Sequence, residues 1–160
     1  MKRAVLFAVL LALAVTAAAG AGTRAAAACK PGVHTIGKTT YRIFCGPASA
    51  SVKVQGKTHS FRNGSCLTVG AASAAKVFTM SIGTLTISKS KPKYSYLGIT
   101  VPGVNHDGVF RRAVVTWAFA GKRYSLYNVK LRLSGNRTRG AFSGRIVGKR
   151  GTVTGSFRCR

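Results

Sequence analysis

Three features of the 160-residue sequence predict an all-β fold, an antiparallel β-sandwich or meander preceded by an N-terminal signal-peptide helix. Short apolar–polar alternations recur along the chain, separated by turn dipeptides such as Asn63-Gly64, Pro102-Gly103 and Gly121-Lys122. No amphipathic helical period follows the first apolar run. Four cysteines, an even number, lie beyond that run, as in an exported domain closed by two disulfides. The length suits one domain with a core of its own.

The N-terminus opens with Lys2 and Arg3, followed by the apolar run Ala4 to Val15 and then by small residues. This is the order of a secretory signal peptide, with cleavage after Ala19 or Ala21 and further options up to Ala28. An uncleaved membrane anchor would need ~20 apolar residues. The second half of this run is Ala and Gly rather than Leu, which makes it a poor anchor. Ala26-Ala27-Ala28 before Cys29 has the small residues of a lipobox, but Arg24 separates it from the apolar run. The predicted organisation is a signal peptide over 1–21, a flexible lead-in over 22–38 and a single β domain over 39–160.

Within the domain, Tyr41, Ile43 and Cys45 share one face of a first strand that ends at Gly46-Pro47. Val52 and Val54 alternate with Ser and Lys, Gly56-Lys57 turns the chain, and His59 to Arg62 returns to Asn63-Gly64. Cys66 to Val69 is a further strand, and the Ala-rich link after it reads as a helical turn. In Phe78 to Ile87 the apolar residues change phase at Gly83, which predicts a bulge or bend that restores one buried face. Tyr94 to Val101 is strand again, after a basic loop. Val115, Trp117 and Phe119 alternate with Val114, Thr116 and Ala118, so this strand is apolar on both faces and central. Tyr127, Val129, Leu131 and Leu133 mark the inner side of the next strand. Phe142 and Ile146 mark another, and Val153, Gly155, Phe157 and Cys159 share a face in the last.

Cys29, Cys45, Cys66 and Cys159 allow three disulfide connectivities. Cys29–Cys45 with Cys66–Cys159 is preferred, since the first pair brackets a short unit and the second ties the start of the sheet to its end. A zinc site is disfavoured: no two cysteines stand two to four apart, and His34, His59 and His106 do not pair at ligand spacing.

The order of several short motifs resembles a family of small actinobacterial secreted lipoprotein antigens, whose best-known members are mycobacterial. The matching pieces are Val54-Gln55-Gly56-Lys57 leading to Cys66, Ser81-Ile82-Gly83, Pro92 to Gly98 running to Val101-Pro102-Gly103, and Gly155 to Cys159. They span about residues 52–159 as a pattern. The resemblance implies an envelope-associated β domain without known enzymatic activity, and it implies a Cys66–Cys159 bond. This chain departs from the family in lacking a convincing lipobox cysteine and in its much more basic charge.

Composition limits the chemistry. One acid, Asp107, excludes paired-carboxylate hydrolysis and carboxylate-rich calcium or magnesium sites. Asp107 adjoins His106, but no nucleophile elbow accompanies them, and Asn105 to Gly108 reads as a polar turn. His59 reads as structural or solvated. Asn63-Gly64-Ser65 and Asn136-Arg137-Thr138 fit the glycosylation pattern and read as turns. No cofactor pattern is present, and a non-enzymatic protein is expected.

What remains is charge: 26 Lys and Arg give a formal +25, with 46% hydrophobic content that argues against disorder. Lys89, Lys91, Lys93, Arg111, Arg112, Lys122, Arg123, Arg137, Arg139, Lys149 and Arg150 mostly fall in or beside turns. If those turns share one side, they form a basic rim for polyphosphate or polycarboxylate chains. The expected protein is secreted or extracytoplasmic and associated with the cell envelope. Its expected partners are anionic envelope polymers or lipid head groups, engaged by charge. The alternative is a secreted nucleic-acid or polyanion-binding module, with Tyr94, Tyr96, Tyr124 and Tyr127 stacking on bases.

Overall fold

The computed structural model describes residues 29–69, 76–88, 91, 93–146 and 151–160. The signal-peptide helix expected over 1–21, the Ala-rich link at 71–75 and the turn at 148–150 lie outside the described residues. Among the described residues there is no helix, and eleven antiparallel strands make up the fold. They are β1 (Gly32–Ile36), β2 (Thr39–Ile43), β3 (Ser49–Val54), β4 (Lys57–Arg62), β5 (Gly64–Val69) and β6 (Val77–Thr86). After these come β7 (Tyr96–Pro102), β8 (Gly108–Phe119), β9 (Lys122–Ser134), β10 (Arg139–Arg145) and β11 (Thr152–Arg158).

β6 to β11 form a meander in which each strand pairs with the next. β3 then adds to the free side of β11, and β4 to β3. At the other end of the order, β5 pairs with the first part of β6 and β2 with its last residues. The chain passes from β4 to β5 through Asn63 alone, so the two ends of the sheet meet and the fold is barrel-like. Asn63 takes a left-handed φ of 65°, the conformation this sharp corner needs and Asn tolerates. Backbone bonds hold the seam: Gly83 N–H donates to Asn63 O at 3.0 Å, and Ala48 N–H donates to Gly64 O at 3.0 Å. Cys66 on β5 is bonded to Cys159 just past β11, and Cys29 to Cys45 beside the β1–β2 hairpin.

One face of each barrel strand points inward. Phe78, Met80 and Ile82, Leu97, Ile99 and Val101, and Ala113, Val115 and Trp117 meet Val129, Leu131, Phe142, Val153, Phe157, Val52 and Phe61 in one core. Period-two alternation along much of these strands is what lets a barrel-like sheet fill its interior with side chains.

Three local expectations are revised. Gly32–Ile36, placed in the flexible lead-in, is a strand hydrogen-bonded to β2. Its Val33 and Ile36 are exposed, so no burial periodicity marks it. In β9, Tyr127 points outward and Leu126 inward, because Asn128 (φ 52°) inserts a bulge opposite β8. Gly83 does take a positive φ of 87°, and β6 changes partner there from β5 to β2. The buried side does not switch, however: Thr86 is buried and Ile87 is exposed.

Candidate functional site

Antiparallel connectivity decides where the basic turn residues go. Lys122 and Arg123 begin β9, and Arg137 and Arg139 follow its other end. A strand of this length separates them by roughly 40 Å. Lys91 and Lys93 are exposed and lie before β7, on the side of Lys122: the Arg123 guanidinium reaches back to the carbonyls of Thr86 and Ser88. The turns therefore do not form one rim. Lys89, Lys149 and Arg150 lie outside the described residues.

Arg137 and Asp107 have a structural task. The Asp107 carboxylate accepts the backbone N–H groups of Asn136 (2.9 Å) and Arg137 (2.7 Å), which clamps the β7–β8 loop to the β9–β10 turn. Asn136 and Arg137 both take positive φ, presenting successive amides to the anion as a nest does. His106 turns instead to Asn105 Oδ1 and packs near Phe110.

The strands, more than the turns, gather the charge. Arg139 on β10 stands opposite Arg158 on β11, Arg158 opposite Ser49 on β3, and Ser49 opposite Arg62 on β4. Opposed residues of an antiparallel pair project from the same face with Cβ atoms about 5 Å apart. One row thus carries Arg139, Arg158 and Arg62 across four strands, with exposed or half-exposed side chains throughout. Beside it run Arg132, Ala141, Ser156, Ser51 and Ser60, and then Lys130, Ser143, Thr154, Lys53 and Thr58. Ser51 and Ser156 hydroxyls lie 3.3 Å apart between the two. A shallow groove of ≈ 520 Å³ follows the first row, lined by Arg62, Arg139, Arg158 and the intervening serines. At the margin, Arg111 and Arg112 occupy a bulge of β8 facing the single Lys130 of β9.

β5, β6 and β7 contain no Lys, Arg, Asp or Glu. The row Ser65, Ser81, Gly98, Thr116 and Ser125 crosses five strands without a charge. Charge is thus dense on β8 to β11, β3 and β4 and absent from β5 to β7, although Arg42 of β2 lines a groove over that face beside Ser65, Ser81 and Thr100.

Sequence reasoning brought forward Arg111, Arg112 and Arg139 from this face and missed Lys53, Arg62, Lys130, Arg132 and Arg158. Their signal was present as the polar half of each strand's alternation, but only register shows that they are neighbours. Of the four tyrosines considered for stacking, Tyr96 covers Gly98 and Tyr124 stacks on Trp117. Tyr127 and Tyr94 are exposed, the latter packed near Tyr41.

Fold and surface together define a disulfide-bonded, cationic, antiparallel β domain whose densest charge lies over β9, β10, β11, β3 and β4. No family model, curated protein or solved structure matches the chain. The resemblance to secreted lipoprotein antigens therefore rests on its short motifs alone.

Proposed function

We propose that this is an exported, non-enzymatic protein of the cell envelope or surface. Its face over β9, β10, β11, β3 and β4 binds anionic polymer or lipid head groups by charge. The observation that carries this reading is the Arg139–Arg158–Arg62 row. Arg139 and Arg158 stand directly opposite one another there, Arg62 lies beyond Ser49 in the same row, hydroxyl side chains surround them, and the only acid of the chain is engaged elsewhere. Such a pairing is unfavourable by itself and becomes favourable when an anion bridges it. Serine and threonine hydroxyls between the guanidinium groups add donors for phosphate or carboxylate oxygens. The two disulfides fit an oxidising, extracytoplasmic compartment. The signal-peptide pattern and the motif resemblance support the same location.

The test is binding to inorganic polyphosphate and to phosphatidylglycerol vesicles at increasing salt. The logarithm of affinity is expected to fall linearly with the logarithm of salt concentration. Replacing Arg62, Arg139 and Arg158 together by Ser should lower that slope by about two, since each anionic contact contributes ~0.7 to 0.9. Replacing Lys91 and Lys93 should change it less. Binding unaffected at 0.5 M NaCl, where the Debye length is roughly 4 Å, would sink the electrostatic account. Strong preference for single-stranded nucleic acid over polyphosphate would favour the nucleic-acid reading instead.

A further inference from the structure

The β3–β4 and β8–β9 turns come together at one end of the barrel. A cavity of ≈ 340 Å³ lies there. Its base is Trp117, stacked on Tyr124 with ring centroids 5.0 Å apart and an interplanar angle of 18°. Its wall is the His59–Phe119 pair, with centroids 4.1 Å apart. Lys57 and Lys122, both exposed, join its lining from the two turns, with Val54, Gln55 and Ala120 beside them. None of these residues belongs to the basic rows described above.

We propose that this mouth is a binding site for a small planar aromatic anion, one or two fused rings bearing a carboxylate or phosphate. Four aromatic side chains line a cavity at the small end of the range used by ligand sites. Offset or edge contacts with a ring suit such a lining better than a flexible chain does. A long acyl chain would need a bore, and the bore is filled: Trp117 is 1% exposed, and Leu97, Val115 and Leu126 around it are 0%. The charge of the ligand follows from the lining. Among the described residues two ammonium groups flank the cavity, and no carboxylate does, because the one acid, Asp107, is held by Asn136 and Arg137 at the β9–β10 turn, the other end of β9. Barrel mouths are recurrent ligand sites for this reason: rigid strands fix the walls while turns supply the polar groups.

Trp117 is the only tryptophan in the chain, so its fluorescence reports on this cavity. The full, disulfide-bonded protein is titrated with 2-naphthoate, 2-naphthalenemethanol and decanoate, following Trp117 emission and binding heat. Saturable binding of 2-naphthoate is expected, with the uncharged alcohol and decanoate each weaker by about tenfold. Replacing Lys57 and Lys122 together by Gln should remove the advantage of naphthoate over the alcohol. His59→Ala should weaken both aromatic ligands. Arg139→Ser with Arg158→Ser should leave naphthoate affinity unchanged, which separates this site from the polyanion face. Unfolding midpoints of all variants confirm that the fold is retained. The proposal is overturned by any of three results: no saturable naphthoate binding up to millimolar concentration, decanoate binding as tightly, or equal losses in the lysine and arginine variants.

Discussion

Two phenylalanine rings lie across glycines of the neighbouring strand. Phe142 on β10 is in register with Gly155 on β11, and Phe157 on β11 with Gly140 on β10. A Cβ at Gly155 would come 2.3 Å from Phe142 Cζ and 2.7 Å from Ser51 O, on opposite flanks. The ring alone could move; the backbone carbonyl cannot. Gly155→Ala should therefore destabilise the domain by about 1–3 kcal/mol, the usual cost of overpacking a filled core. Urea unfolding measures it, and an unchanged midpoint would mean the ring does not occupy that space. Thr86 offers a change of opposite sign. It is 1% exposed, and its Oγ1 has no hydrogen-bond partner. Thr86→Val, nearly isosteric, should stabilise by about 1 kcal/mol by removing a buried unpaired hydroxyl. The alternation of β11 made it legible that Gly155 and Phe157 face the same way. That a ring from β10 fills the glycine's space was not, because it depends on cross-strand register.

Among the elements, the two disulfides constrain different things. Cys66–Cys159 closes a separation of 93 residues and joins β5 to the end of β11 across the seam of the barrel. Cys29–Cys45 closes 16 residues and tethers only the β1–β2 hairpin. In the chain-entropy account, removing the first pair as Cys66→Ser with Cys159→Ser should cost ~4–5 kcal/mol, and removing the second ~3 kcal/mol at most. The location of the effect should differ as well. Loss of Cys29–Cys45 should raise amide exchange in β1 and β2 while leaving β8 and β9 protected, since hairpin opening exposes little of the core. If β8 and β9 lost protection too, the hairpin would be integral to the barrel. Cysteine spacing made this pairing the preferred one from sequence, and the strands with clear alternation were found. β1 was missed because its apolar residues face solvent. The phase of β9 was misplaced because Asn128 carries an extra residue that composition does not mark. Bulges and exposed edges are set by neighbours, and a single strand's pattern contains no record of them.

At the scale of the whole molecule, the quantity of charge was legible and its placement was not. Basic residues in successive turns look like one group in sequence, yet an antiparallel meander sends alternate turns to opposite ends. Residues far apart in the chain, such as Arg62 and Arg158, are brought into one row by the β11–β3–β4 pairing. The resulting repulsion is borne by the folded state, because folding concentrates these cations on one side while the unfolded chain spreads them out. Added salt should therefore stabilise the free protein. Raising NaCl from about 0.02 M to 0.5 M shortens the Debye length from roughly 20 Å to roughly 4 Å, enough to screen strand-to-strand repulsion. The unfolding temperature should rise across that range. Arg158→Ser should raise it at low salt by the equivalent of ~0.2–1 kcal/mol, and the gain should shrink at high salt. Polyphosphate should stabilise the native protein at low salt and lose that effect at high salt, the reverse of sodium chloride's own action. Calorimetry at several salt concentrations, with and without polyphosphate, separates the two terms. A salt-independent unfolding temperature would mean that the guanidinium groups of the row splay apart into solvent. The face would then keep the protein soluble and would not be poised for an anion.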